Sequence, residues 1–403
     1  MGKLLNFKYA CTQGTYWMLY GIVGSFASVF LLSRGYSNSE IGVILAVANV
    51  VAVVLQPLVA DFADRSKKIT LIGMIQLMTI IMILMMAGLC VLQKKTLALS
   101  VIFLMLIAWH TILQPLVNSL CFKLQQCGSH INFGFARGVG SLAYSALVGV
   151  LGTMVENYGV MVMPITGEVI LVMLLISLAL TKSEYNKVKT VNTDKGVIDL
   201  NRKDDDIEEI NLLDFIKRNK VFLVVNIGVI GVYFSNQVLN NYMIQVVSNV
   251  GGDSEDMGRI LSLMAFLEIP VMFCFDNLRK HFSCQLMLKV SAIGFVVKIA
   301  MCYIATSVTM VYIAQLFQLI SFGLFLPTMV HFIDEMMSKG EAVKGQALFT
   351  MMVTVTTMIS SLLGGIILDL SGAKMLTLVA TIATAIGALI IIASVDRVKK
   401  QTS

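Results

Sequence analysis

The sequence predicts an all-α membrane protein whose twelve transmembrane helices form two pseudo-symmetric six-helix bundles. Three observations predict it. First, 57% of the 403 residues are hydrophobic and only 13% are charged, against about 25% charged in an ordinary soluble protein. So few charges cannot clothe a water-soluble surface of this size. Second, the apolar residues lie in long runs such as 69–93, which holds no charge; roughly 20 helical residues cross a bilayer core about 30 Å thick. Third, the two halves of the chain repeat one another.

The apolar runs place helices at about 10–32, 40–62, 69–92, 97–122, 134–156 and 160–181, then at 221–246, 255–276, 283–306, 309–333, 345–368 and 373–395. Residues 1–181 are therefore expected as an N-terminal bundle and 221–403 as a C-terminal bundle. The segment 182–220 between them carries nine basic and nine acidic residues. It cannot bury itself and reads as a solvated cytoplasmic linker, with a short amphipathic surface helix over 210–220. The repeat shows in the prolines: Pro57 and Pro115 recur as Pro270 and Pro327, at shifts of 213 and 212. Gly152, Glu156 and Gly159 recur as Gly365, Asp369 and Gly372, and Tyr20 as Tyr233, all at 213. Parallel six-helix repeats describe a transporter with a midplane site between its halves.

Orientation follows from the lysine and arginine bias. With the N-terminus inside, the cytoplasmic side holds thirteen basic residues outside the linker, and the other side only Arg34, Lys94, Lys95, Arg259 and Lys374. A multi-pass protein of the plasma membrane with both termini cytoplasmic is expected. The net charge of +6 sits in these short loops, which argues against a nucleic-acid binder. Seven cysteines without a CxxC pair and four scattered histidines at 110, 130, 281 and 331 offer neither a metal site nor the clustered groups of a membrane enzyme. No cofactor is expected, and the protein reads as a monomer and not an enzyme.

Charges inside spans are costly unless they face a cavity or a partner. Arg137 in helix 5, Glu268 in helix 8 and Lys298 in helix 9 stand inside spans and are the leading functional candidates. At the end of helix 2, Asp61, Asp64 and Arg65 precede Lys67 and Lys68. An acid at a helix end facing basic residues can pair across a bundle and hold one conformation closed. This stretch resembles the loop 2–3 signature of the major facilitator superfamily, which implies a gating role for Asp61, Asp64 and Arg65. Helix 1 adds Thr12, Gln13, Tyr16 and Tyr20 at helical spacing. His110 reads as a packing residue and His331 as loop-facing.

A closer resemblance lies in helix 5. Phe133, Gly134, Arg137, Gly140 and Tyr144 look like the corresponding helix of the lactose permease family of sugar–proton symporters. There an arginine binds sugar hydroxyls, and an aromatic residue seven positions on stacks against the ring. The resemblance implies those roles for Arg137 and Tyr144, sugar recognition for Glu268, and the place of a helix-9 arginine for Lys298. It also implies departures. The helix-4 acid is replaced by Asn118 or Ser119, and a helix-7 to helix-10 ion pair by Asn236 and Gln315. The coupling histidine and glutamate of helix 10 appear as Gln318 and Ser321. Glu268 is then the residue expected to carry a proton, with Lys298 as its cation. The expected function is uptake of a sugar or related polyhydroxylated solute by proton symport with alternating access. A nucleoside, aromatic acid or exported drug is the alternative. Arg137, Tyr144, Glu268, Asn118, Asn236, Gln315 and Gln318 are the expected substrate contacts.

Overall fold

The structure is a computed structural model that describes residues 2–65, 70–125, 131–194 and 212–398. Helix α1 runs Gly2–Tyr20, passes a π turn at Gly21–Ser25, and continues as Ala27–Ser33, with a bend of 44°. Then follow α2 Asn38–Arg65, α3 Leu71–Val91, α4 Leu97–Gln125, α5 Phe133–Tyr158 and α6 Val162–Asp194. A two-turn helix at Leu212–Arg218 leads into α7 Lys220–Ser248, α8 Ser254–His281 and α9 Cys284–Ile304. Helix α10 is composite: Val308–Gln315, a 3-10 turn Leu316–Gln318, a π turn Leu319–Gly323, and Leu324–Met336. The long helix Lys339–Ser394 breaks at Gly372, so we describe it as α11 (339–371) and α12 (373–394). Among the described residues, ten continuous helices are long and apolar enough to span a bilayer and the bent α1 adds one. The break at Gly372 splits one of the ten, which makes twelve.

Local chemistry sets the helix ends. Thr70, Asn132, Asp253, Ser283 and Ser307 each accept a backbone N–H of the first turn of α3, α5, α8, α9 and α10, satisfying donors that a helix start leaves open. Helix α5 ends at Gly159 (φ 81°, ψ 169°) and α11 at Gly372 (φ 77°, ψ 179°). Side-chain-bearing residues are strongly disfavoured in that region, so the repeated glycine marks the same turn in both halves. Gly35 and Gly251, at φ 83° and 85°, form a second such pair that the sequence comparison passed over. All four repeated prolines lie inside helices, as membrane helices allow where neighbouring groups take up the freed carbonyls.

The chain divides into two compact units, residues 1–36 with 44–204, and residues 37–43 with 205–403. In the first, α1 packs on α5 and α6, and α3 on α4 and α6. Helix α6 continues 13 residues beyond the expected end at 181. One contact with α1 supports the start of this extension, Lys8 pairing with the buried Glu184 at 3.0 Å, and Thr12 bonds Ser177 at 3.2 Å one turn before it. The first part of the expected linker is therefore ordered helix, and 195–211 lies outside the described residues. In the second unit α7 packs on the α11–α12 pair and α9 on α10 and the same pair. Its core gathers Phe222, Tyr233, Phe275, Phe295, Phe325 and Phe349. Phe215 of the two-turn helix is fully buried, with its ring 6.4 Å from that of Phe222, where a surface helix was expected.

The first turn of α2 belongs to this second unit. Asp369 of α11 accepts from Asn38 N at 3.0 Å, Asn38 Nδ2 at 2.9 Å and Ser39 N at 2.7 Å. Gln245 of α7 donates to Asn38 Oδ1 at 2.9 Å. Asp369 thus does for α2 what a cap residue does from within a chain's own helix.

Candidate functional site

In the first unit the candidate groups gather on α1, α4 and α5. Arg137 stands one turn into α5 and donates from Nη1 to Ser141 Oγ at 2.8 Å. Its guanidinium carbon lies 3.8 Å from the centre of the Trp17 ring. A guanidinium stacks well on an aromatic face because it is planar and weakly hydrated. Gly140 makes room for the indole: a Cβ there would stand 2.6 Å from Trp17 Cδ1. Around Trp17 the aromatic rings continue. Tyr16 and Tyr20 present edges at 5.4 and 5.8 Å. His110 stacks on Tyr16 at 4.4 Å, and Tyr20 lies 6.0 Å from Tyr144. Tyr144 Oη bonds Ser25 Oγ at 2.7 Å, and Ser25 sits in the α1 π turn.

Arg137 and Tyr144 thus engage different α1 partners, Trp17 for the arginine and Tyr20 with Ser25 for the tyrosine. His110 is held by the Tyr16 carbonyl at 3.3 Å and returns its own carbonyl to Tyr16 Oη at 3.2 Å. Asn118 Oδ1 accepts from Gln13 Nε2 at 3.1 Å, and the same Nε2 donates to Tyr9 Oη at 2.8 Å. Gln13 Oε1 finds no partner among the described residues.

The second unit holds a chain of three side chains. Gln318 Nε2 donates to Glu268 Oε1 at 2.8 Å, and Lys298 Nζ donates to Gln318 Oε1. One amide from α10 therefore bridges a carboxyl on α8 and an amine on α9. Lys298 and Gln318 are buried and Glu268 is half-buried. Irregular backbone surrounds the bridge, because Gln318 ends the 3-10 turn and starts the π turn, a distortion common at functional sites. Gln315 is fully buried; its Nε2 reaches Cys302 Sγ at 3.4 Å and the Val311 carbonyl at 3.3 Å. Gln315 Oε1, Ser321 Oγ and Asn236 Oδ1 are buried atoms without a partner among the described residues.

The remaining candidates lie elsewhere. Asp61 is exposed on α2; the side chains of Asp64 and Arg65, and all of Lys67 and Lys68, lie outside the described residues. His331 is not loop-facing: it stacks on Phe275 at 5.2 Å and bonds Arg279 at 2.6 Å. Sequence reasoning passed over Trp17, Ser25 and Ser141. Trp17 could have been found from its place between Tyr16 and Tyr20 on the helix that already carried polar candidates. It also passed over Glu168, an acid of α6 whose Oε1 is buried without a partner among the described residues.

This architecture recurs in solved transporters. The nucleoside transporter NupG matches with a TM-score of 0.76 at 12% identity, over 97% of this chain and 98% of that one. A point mutant of NupG, with alanine in place of one aspartate, reaches 0.79, also at 12% identity, over 97% and 99%. A bacterial homologue of the human lysosomal transporter Spinster, in an inward-facing and unoccupied conformation, matches at 0.65 with 11% identity, over 100% and 98%. At such identities these likenesses speak for the fold. No curated protein matches the sequence closely. A family model matches residues 9–379, and with the twelve-helix architecture it makes the chain a member of the MFS_1 like family, a secondary transporter of the major facilitator superfamily.

Proposed function

We propose that the transported solute is polyhydroxylated, a sugar in the first reading, and that it is taken up with protons. The observation that carries this reading is the Arg137 guanidinium stacked on Trp17 beside the Tyr20 and Tyr144 rings. Aromatic faces suit the apolar face of a sugar ring, and a guanidinium fork suits vicinal hydroxyls. Asn118 is a further proposed contact in the first unit, and Glu268, Asn236, Gln315 and Gln318 are the proposed contacts in the second. Glu268 is the proton carrier and Lys298 its cationic partner. Asp61, Asp64 and Arg65 serve the gate, and the chain between α6 and α7 is the cytoplasmic connection between the bundles. The protein acts as a monomer in the plasma membrane with both termini cytoplasmic.

A nucleoside is the second reading. The likeness to NupG favours it, as does the density of rings on α1, which suits a flat base as well as a ribose. Uptake of labelled lactose and uridine into proteoliposomes, with and without an inward proton gradient, tests both. One solute class is expected to enter saturably, faster with the gradient, and to be lost in Glu268→Gln and Arg137→Ala. Transport unaffected by both variants would sink the site, and uptake indifferent to the gradient would sink proton symport.

A further inference from the structure

We propose that Gln318 is a torsional switch that ties the protonation of Glu268 to the position of Lys298. This rests on the reading of Glu268 as the proton carrier. The argument starts from what each group can do. A carboxylate only accepts hydrogen bonds and an ammonium only donates. An amide has one accepting end and one donating end, so only one orientation serves both neighbours. The structure has that orientation, with Nε2 toward Glu268 and Oε1 toward Lys298. The bridge is therefore complementary to an ionised Glu268 and a charged Lys298, a neutral set overall. Such a set is the economical form for buried charges, since an unpaired one is costly.

Adding one proton to Glu268 changes the sum. The carboxyl becomes neutral and gains an O–H that needs an acceptor, and its bond from Nε2 loses charge assistance, roughly half its strength. Lys298, buried, loses the negative charge that balanced it across the Gln318 bridge. Rotating the Gln318 amide by about half a turn points Oε1 at the new O–H, but it turns Nε2 toward Lys298, where two donors meet. Lys298 must then leave. Gln315 Oε1 is the acceptor open to it, fully buried and without a partner among the described residues. Gln315 and Gln318 are three residues apart at the 3-10 turn, and in a 3-10 helix side chains at that spacing eclipse one another. Lys298 and Gln315 also share a neighbour: Cys302 lies near Lys298 and accepts from Gln315 Nε2 at 3.4 Å. The proton thus moves Lys298 from one glutamine to the next on the same face of α10, with no bond broken other than hydrogen bonds. Among the described residues, the titratable groups near this bridge include Lys298 and Cys302 from α9 and Tyr233 from α7, which lies near Glu268.

The test is infrared difference spectroscopy of the full chain in liposomes between alkaline and acid pH. A carboxyl C=O band that is missing in Glu268→Gln is expected, accompanied by a side-chain amide change that is missing in Gln318→Leu and reduced in Gln315→Leu. A carboxyl band with an unmoved amide, or an amide change that persists in Glu268→Gln, overturns the switch alone. Absence of any such carboxyl band at any pH ends the reading of Glu268 as a proton site, and the switch with it. Thermal unfolding in detergent supplies a second measurement. Gln318→Leu is expected to lower Tm by a few degrees in the native background and to leave it unchanged in Glu268→Gln/Lys298→Met. Equal losses in both backgrounds would reduce Gln318 to a packing residue.

Discussion

Arg137 holds its guanidinium carbon 3.8 Å above the ring of Trp17, so the guanidinium of α5 is positioned by an aromatic residue of α1. Such a stack contributes about 0.5–2 kcal/mol, and its value lies in orienting the fork. Arg137→Lys keeps the charge but loses both planarity and paired donors. It is expected to cut proteoliposome uptake nearly as deeply as Arg137→Ala, at equal amounts of inserted protein. Uptake preserved in the lysine variant would show that a point charge suffices there.

Gly140 is the clearance that lets this stack form. A methyl group at that position meets Trp17 Cδ1 at 2.6 Å, and overpacking of this kind costs about 1–3 kcal/mol. Gly140→Ala should lower Tm and weaken uptake together. Combined with Trp17→Leu it should cost less than the sum of the two, because the clash is with the indole itself. Additive losses would place the strain elsewhere.

Gly159→Ala and Gly372→Ala are expected to destabilise the protein to a similar degree, about 1–3 kcal/mol each, since both glycines hold the same disfavoured conformation. Gly134→Ala is the control. A Cβ there meets nothing closer than Asn132 Oδ1 at 3.4 Å, so its Tm should hold or rise slightly. Unequal losses at 159 and 372 would mean that the two halves turn this corner at different cost.

Asp369→Ala removes the acceptor for two backbone N–H groups and one side-chain amide at the start of α2. Loss of a cap costs about 0.5–2 kcal/mol. Asp369→Asn keeps one accepting oxygen and should lose less. Hydrogen exchange at Asn38 and Ser39 reads the effect directly: faster exchange is expected in the alanine variant, and unchanged protection would mean that those amides are held by something other than Asp369.

Composition and repetition made the fold legible. Paired prolines and the Gly159 and Gly372 motifs reported a duplicated bundle because they act through the backbone, which neighbours modulate little. The candidate charges were also legible, since a lysine or glutamate inside an apolar run stands out. Their partners were not. Nothing in the local pattern says that Gln318 touches both Glu268 and Lys298, because the bridge joins three helices. Trp17 escaped for a related reason: an aromatic residue in a membrane helix usually reads as packing, and only the crossing of α1 with α5 brings it to Arg137. The length of α6 was misjudged because charged residues suggested a solvated chain, whereas Glu184 finds Lys8 and turns inward.

The π turns at Gly21–Ser25 and Leu319–Gly323 carry a consequence for register. Each amounts to one surplus residue, and one residue turns a helix by about 100°; in α10 the adjoining 3-10 turn adds its own change of facing. Everything beyond the surplus faces a different direction from where an uninterrupted spiral would send it. In α10 this frees the stretch bearing Gln315 and Gln318 to choose its facing independently of Phe325 and Phe332, which are buried in the core of the second unit. The chain thereby aims polar side chains and anchors apolar ones from a single helix, a separation that substitution alone could not provide.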